Sequence, residues 1–362
     1  MRVAHVVPAL FGDGGIYGGA ERYAFELARH MADCTPTALV TFGAHDRREH
    51  IGNLDLRVIG KPVYARGQRG NPIALRLFRE LRRADVVHCH QKHILASSLT
   101  ALYCRVTGRR VFVTELGGGG WDISGYVPTD SWYDAHLHIS EYSRRACGHA
   151  DKNFAHVIFG GTDIERFSPG EPSARGGSVV YVGRLLPHKG INDLISAIPP
   201  ATPLRLIGRE SDPRFLADLQ RLAIGKRVTF EHNRGDAEIV SAYREAACAV
   251  LPSVYRTMYG RETIVPELLG QTLIEAMACA APVICTAVAS MPEIVQDGVT
   301  GFIVPPNDPN ALRNRINWLL EHRYEAAEMG RAGREKVLSE FTWPATVRRC
   351  LGIYASAVAG LE

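Results

Sequence analysis

The chain has 362 residues, 46% hydrophobic and 22% charged, the make-up of a soluble globular protein with room for two domains. A formal charge of +4 suits a small anionic ligand or a membrane surface and is too weak to point to nucleic acid. No run of eighteen apolar residues offers a bilayer span, and the start, Met1-Arg2-Val3-Ala4-His5-Val6-Val7-Pro8, reads as a first strand rather than a signal peptide.

Short β-rich runs alternate with helical patterns through the first half. Strands are predicted over 3–7, 38–42, 56–59, 86–89, 111–114 and 137–139, and helices over 21–32, 73–83 and 96–106. Such alternation argues for a doubly wound parallel sheet, which binds ligands beyond the carboxyl ends of its strands. One such end is glycine-rich, Phe11-Gly12-Asp13-Gly14-Gly15-Ile16-Tyr17-Gly18-Gly19-Ala20-Glu21. It reads either as a phosphate-wrapping loop or as a flexible loop without a ligand. Tyr17 spoils G-x-G-x-x-G, so dinucleotide binding is disfavoured. A second cluster, Thr114-Glu115-Leu116-Gly117-Gly118-Gly119-Gly120-Trp121-Asp122, lets something approach closely, with Trp121 and Asp122 offering an apolar face and an acceptor. His88 and His90 alternate along the fourth strand, where a structural role is at least as good as a chemical one. No partner at regular spacing supports a metal site.

The span from Val157 through Gly160-Gly161-Thr162-Asp163 and Arg166-Phe167-Ser168-Pro169-Gly170 marks the join. The expected domains are 1–163, a linker over 164–177, a second domain over 178–342, and a terminal helix over 343–362 that packs across the join or back on the first domain. In the second half strands are predicted over 179–182, 204–207, 228–230, 249–251, 282–285 and 302–304. Arg184 and Lys189 follow the first of these, each beside a glycine (Gly183, Gly190). They suit a diphosphate, one as a fork and one as a point charge, or else form an exposed basic turn. In Pro266-Glu267-Leu268-Leu269-Gly270-Gln271-Thr272-Leu273-Ile274-Glu275 a buried helix begins near Thr272. Its free amides suit a phosphorylated ligand with an acid on either side. The competing reading makes Thr272-x-x-Glu275 a capping box. The eight cysteines are scattered without Cys-x-x-Cys, which favours a reducing cytoplasm, no disulfides and no zinc site.

With these residues in view, the chain resembles the retaining GT-B glycosyltransferases of family 4 (glycosyl transferases group 1). The motifs run almost end to end: Gly18-Gly19-Ala20-Glu21, Gly161-Thr162-Asp163 with Arg166-Phe167, Gly183-Arg184 with Lys189-Gly190, the Glu-x7-Glu pair Glu267 and Glu275, Pro282-Val283-Ile284, Pro292-Glu293-Ile294-Val295, and Asp297-Gly298 with Gly301-Phe302. The resemblance implies two Rossmann-like domains facing a cleft and closing over a nucleotide-sugar held mainly by the second. It implies that Arg184 and Lys189 hold the diphosphate, that Glu267 binds donor-sugar hydroxyls, and that Glu275 binds the ribose. Gly183, Gly208, Gly270, Gln271 and Thr272 would serve the donor from the same domain, and Gly18 and Gly19 from the first. It further implies retention by front-side attack, with no enzymic nucleophile, no metal and no cofactor beyond the donor.

Three departures stand out. Leu116 occupies the place of a histidine two residues after Thr114 in many members, leaving Glu115 or Asp122 to share its role, with Gly118 and Trp121 on the acceptor side. Residues 254–265 intervene before Glu267, as a lid, an acceptor-side wall or a surface loop. Gly160 stands where the hinge motif has asparagine. The expected function is hexosyl transfer from a nucleoside-diphosphate sugar, UDP first and GDP next, to a hydroxyl acceptor. The alternatives are a nucleotide-sugar 2-epimerase and a catalytically silent nucleotide-sugar-binding protein. Basic residues at Arg47-Arg48, Arg66, Arg69 and 79–83 are either solvated surface or a contact to the inner face of a membrane.

Overall fold

The structure is a computed structural model and describes residues 1–10, 18–117, 120–171 and 176–360. It divides into two compact units, Met1–Gly160 with Trp343–Glu362, and Gly161–Thr342.

Unit 1 is built on strands β1 (Val3–Leu10), β2 (Thr37–Gly43), β3 (Arg47–Ile51), β4 (Leu54–Gly60), β5 (Val63–Tyr64), β6 (Pro72–Ile73), β7 (Val86–His90), β8 (Arg110–Thr114), β9 (Ala135–His138) and β10 (Ala155–Val157). Its first helices are α1 (Gly19–Ala32), α2 (Arg76–Glu80), α3 (Leu95–Thr107) and α4 (Glu141–Ala146). Among the described residues, eight strands form one sheet in the order β10-β9-β8-β7-β1-β2-β4-β3, parallel except for β3 against β4. Alternate residues leave the two faces of the inner strands: Val40 and Phe42 join Leu77, Ala96 and Cys104 on one side, and Leu39 joins Ala24 and Ala28 of α1 on the other. With both faces covered, β2 is buried at every position, as central parallel strands are.

Two sequence expectations shift. The helix predicted over 73–83 shrinks to α2, because Val63 and Tyr64 pair with Ile73 and Pro72 in a two-stranded ribbon and draw off the start of the run. The basic pair Arg47-Arg48 lies on β3, a charged antiparallel edge where Arg48 meets Asp55 at 2.7 Å. Charge on an exposed edge deters further strand pairing.

Unit 2 carries β11 (Ser178–Val182), β12 (Leu204–Ile207), β13 (Val228–Glu231), β14 (Ala246–Leu251), β15 (Val283–Thr286) and β16 (Gly301–Val304). Its helices are α5 (Ile191–Ala197), α6 (Pro213–Leu222), α7 (Asp236–Glu245), α8 (Gln271–Ala278), α9 (Met291–Ile294), α10 (Pro309–Glu321) and α11 (Arg323–Glu340). The strands form one parallel sheet in the order β13-β12-β11-β14-β15-β16. Reversal of the winding beside β11 puts a crevice at its carboxyl end, where ligands of such sheets bind. The chain enters and leaves unit 2 side by side, since the Thr162 amide donates to Phe341 O at 2.9 Å and Thr162 bridges Thr342. The last helix, α12 (Trp343–Ala359), returns to unit 1, where Tyr354 is fully buried against Phe112.

The α1 and α12 face of the unit 1 sheet holds a polar cluster. His5 lies in register with His88 across β1 and β7, and His5 Nδ1 is 2.9 Å from His90 Nε2. His88 is flanked by Thr114 Oγ1 and the Tyr354 hydroxyl, each at 2.7 Å. Burial drives the His5 imidazole down to about 3 and lowers His88 and His90 as well, so all three are neutral at pH 7. The unfolded chain takes up these protons below about pH 6.5, while folded His5 refuses its own until about pH 3. Stability is therefore full above pH 6.5 and falls as pH drops through that window, by up to about 1.4 kcal/mol per pH unit for each such imidazole. Urea unfolding followed from pH 8 to pH 5 should show a flat midpoint above pH 7 and a steep decline below it; an unchanged midpoint down to pH 5 would contradict the buried neutral cluster.

Candidate active site

The carboxyl ends of β11 and β12 are crowded backbone to backbone. The Gly183 amide donates to Ile207 O and the Gly208 amide to Glu231 O, each at 2.9 Å. A Cβ on Gly208 would run into the carbonyl oxygen of Gly183. Gly208 therefore has a packing reason to be glycine, independent of any ligand. After Gly183 the chain exposes Arg184, whose guanidinium forms no ion pair or hydrogen bond among the described residues. The Tyr181 hydroxyl donates to Arg184 O at 2.9 Å, and burial first, then the Glu267 carboxylate, raise its pKa.

A single 3-10 turn, Pro187–Lys189, leads to Gly190, which has φ 63° and starts α5. A side chain at Gly190 would meet Pro252 O, and the Val254 amide donates to His188 O at 2.9 Å. The turn is thus sewn to the end of β14. Burial, followed by the charges of Lys189 and Arg184, holds the His188 imidazole near 4, so it adds no charge between the two cations. Lys189 Nζ reaches Glu267 Oε2 at 2.5 Å and Pro266 O at 3.5 Å. Both side chains are largely buried, 12% and 16% exposed. The sequence proposes the two residues separately; the structure brings them into direct contact.

Three residues beyond Glu267, Gly270 takes φ 75°, the left-handed conformation that glycine adopts without strain, and caps α8. The helix begins at Gln271, and with Gly270 at the N-cap position Thr272 lies inside the first turn. The capping-box reading of Thr272 and Glu275 therefore fails. The Leu273 and Ile274 amides turn back to Gly270 O, leaving the Gln271 and Thr272 amides without an acceptor inside the helix. Glu275 is only 7% exposed, and Gln271 Nε2 approaches its Oε1 at 3.5 Å and Gly161 O at 3.1 Å. Leu273, Ile274, Ala276, Met277 and Ala278 bury the rest of the helix, fixing where its amides point.

Residues 254–265 fold into a hairpin. The Thr263 amide donates to Tyr255 O at 2.7 Å and the Thr257 amide to Arg261 O at 2.9 Å. The Tyr255 hydroxyl accepts from the Ala289 amide at 2.8 Å, Asn307 Nδ2 donates to Arg256 O at 3.1 Å, and Tyr259 donates to Asp218. The segment is held on both flanks, and Ile264, 85% exposed, stands three residues before Glu267.

In unit 1, Gly18 is the extended N-cap of α1 and Gly19 its first residue. Glu115 follows β8 and ties loops together: its oxygens accept from the Lys92 amide at 2.8 Å and the Gly117 amide at 3.0 Å. Burial raises its pKa and these amides oppose the rise. Glu115 lines a cavity of ≈280 Å³ with Lys92, His93, Val113, His136, His138, Ala146, Cys147 and His149. Trp121 and Asp122 do not line it. Trp121 lies under Arg66, 4.5 Å from its ring centre, and buried Asp122 accepts from Ser124 Oγ at 2.8 Å. Gly118 lies outside the described residues. The sequence reading passed over His136, His138 and His149; the one available signal was the His-x-His alternation on β9, which repeats that of β7.

Known proteins match the chain along most of its length. The model described as "Glycosyl transferases group 1" matches residues 164–336, and "Glycosyl transferase 4-like domain" matches 18–155. The alpha-maltose-1-phosphate synthase of Mycobacterium tuberculosis is 30% identical over 327 residues, covering 76% of this chain and 80% of that one. A D-inositol 3-phosphate glycosyltransferase of Corynebacterium glutamicum is 31% identical, over 58% of this chain and 53% of that one. Among solved structures, sucrose-phosphate synthase from Thermosynechococcus elongatus superposes with TM-score 0.75 at 22% identity, covering 99% of both chains. Anabaena HepE in complex with UDP and glucose gives TM-score 0.76 at 19% identity, covering 98% of this chain and all of that one.

The two crowded glycines separate from a third. Gly208→Ala and Gly190→Ala should each destabilise the protein by at least about 2 kcal/mol, because backbone oxygens must move. Gly19→Ala, with open space around its Cβ inside a helix, should be neutral or stabilising by up to about 1 kcal/mol. Calorimetric midpoints for the three variants test this, and equal midpoints would remove the packing explanation.

Proposed function

Since this chain belongs to the GT-B glycosyltransferases of group 1, we propose that it moves a hexosyl group, with retention, from a nucleoside-diphosphate sugar to a hydroxyl acceptor, and that the donor is a UDP-sugar, with a GDP-sugar next. The observation that carries the donor site is the Lys189 and Glu267 pair set beside the free amides of α8. In this reading Arg184 and Lys189 neutralise the diphosphate, and the Gln271 and Thr272 amides add the positive end of the helix. These groups act most strongly on the charge that develops as the diphosphate departs. Glu267 accepts hydroxyl hydrogen bonds from the sugar and Glu275 from the ribose. Gly183, Gly208 and Gly270 let the ligand approach the backbone. We place the acceptor-side groups in unit 1, with Glu115 foremost because it lines the ≈280 Å³ cavity and Trp121 and Asp122 do not.

UDP as the first choice follows Anabaena HepE, whose structure holds UDP and glucose. Phosphorylated hexoses and polyols head the acceptor panel, because relatives are named for maltose 1-phosphate and inositol 3-phosphate. Transfer needs no metal in this scheme, since two cations and a helix end compensate the leaving charge. No helix among the described residues is long and apolar enough to cross a membrane. The eight cysteines are free thiols, which suits a reducing cytoplasm.

Lys189→Ala and Glu267→Ala should each lower kcat/KM by about 100-fold or more while far-UV circular dichroism is unchanged. Full activity in either variant would end the assignment. With UDP-sugar and acceptor supplied, an excess of chelator should leave the initial rate unaltered; a rate restored only by added Mg²⁺ or Mn²⁺ would show that a metal takes part. Product formed without acceptor would indicate epimerisation instead.

A further inference from the structure

Outside the donor site, two three-residue groups of ligand-type side chains occur among the described residues, His5 with His88 and His90, and Asp130 with His136 and His149, and the second borders the ≈280 Å³ cavity. Asp130 comes from the turn ahead of β9, His136 from β9 itself, and His149 from the loop after α4. One carboxylate oxygen and one nitrogen from each imidazole lie within 4.8 Å of one another. Asp130 Oδ2 is 3.5 Å from His149 Nε2, and Asp130 Oδ1 is 3.8 Å from His136 Nε2. In a tetrahedral site with bonds of about 2.0–2.1 Å, neighbouring donor atoms stand roughly 3.3 Å apart. These two separations run to different carboxylate oxygens, so binding through one oxygen requires the set, now within 4.8 Å, to contract by up to about 1.5 Å.

Second contacts support the set. His149 Nδ1 lies 3.1 Å from His138 Nε2, which leaves Nε2 of His149 facing Asp130. A ligating histidine characteristically anchors its other ring nitrogen in this way. His138 is itself buried, lines the cavity, and its Nδ1 has no hydrogen-bond partner. Phe154 packs on both His136 and His149 at 5.3 Å between ring centres and restrains their planes. His136 Nε2 also stands 3.2 Å from the Asp130 carbonyl oxygen, to which it donates, so an incoming ion must break that bond and leave the ring proton on Nδ1. The position is not vacant of charge, because the Lys92 ammonium pairs with Asp130 Oδ1.

We propose that Asp130, His136 and His149 bind a divalent transition-metal ion, Zn²⁺ being the ion suited to two nitrogens and one oxygen, with its remaining position open to the cavity that His136 and His149 line. Lys92 is the built-in competitor: metal and ammonium seek the same carboxylate, and the flexible lysine stem must swing aside for the ion to enter. The site belongs wholly to unit 1. Its effect is to clamp β9 to the loop after α4.

The test uses the full chain stripped with chelator and dialysed. Zn²⁺ is titrated against a chromophoric chelator, and Co²⁺ is added separately to read the visible bands of a tetrahedral site. The native protein should take up one Zn²⁺ more than the His136→Ala/His149→Ala double variant and show those bands. His138→Ala should weaken binding roughly tenfold, and Asp130→Asn further. Lys92→Met should tighten it at least about tenfold, a gain that loss of structure would not produce. Circular dichroism confirms that each variant is folded, and Asp130→Asn and Lys92→Met decide the matter if the histidine variants are not. Equal Zn²⁺ uptake by the native protein and the folded ligand variants, or absence of tetrahedral Co²⁺ bands in both native and Lys92→Met protein, would overturn the proposal.

Discussion

Everything proposed for unit 2 depends on how little room its backbone leaves at the strand ends. Gly190 sits where a side chain would strike Pro252 O, and Gly208 where one would strike Gly183 O. These approaches lock the turn after β11 to the end of β14 and to the exit of β12. Lys189, at the end of that turn, reaches Glu267, and the two largely buried groups neutralise each other. A pair so placed would be a poor device for stability alone, because desolvating both ions offsets much of their attraction. Under the function proposed above, its value would lie in holding two opposite charges ready, close in sequence to the start of α8, for a ligand that carries both phosphate and hydroxyl groups.

Unit 1 treats polar groups differently. Its inner strands carry imidazoles where most parallel strands carry valine or isoleucine, and burial keeps them neutral. On the α1 and α12 face the histidines bond to one another and to hydroxyl neighbours, with His90 Nδ1 left without a partner. On β9 the same alternation opens onto a cavity, with a carboxylate and an ammonium at its edge. One sequence pattern thus serves two purposes, and the presence of space beside it decides which.

Much of this could be read from the sequence. Every predicted strand corresponds to an observed one within a few residues, because fully buried parallel strands announce themselves as apolar runs between helical periods. Gly270, Gln271 and Thr272 were placed at a helix start from sequence alone, and the helix begins one residue earlier than expected. Contacts between distant residues were not legible. Lys189 and Glu267 are 78 positions apart, and nothing local says that they touch. The capping box looked sound until Gly270, with its left-handed backbone, took the N-cap position from Thr272. Asp130, His136 and His149 come from three separate elements, so no spacing rule could gather them. The 73–83 run failed in part for a tertiary reason, since its first residue, Ile73, pairs with Val63 of β5.

The return of α12 to unit 1 bears on the order of assembly during synthesis. Unit 2 draws only on residues 161–342, all of which are made before Trp343. The unit 1 core includes Cys350 and Tyr354, fully enclosed, with the tyrosine hydroxyl 2.7 Å from His88. The core of unit 1 is thus completed by residues that follow the whole of unit 2 in the chain, and without α12 one face of its sheet is partly bare.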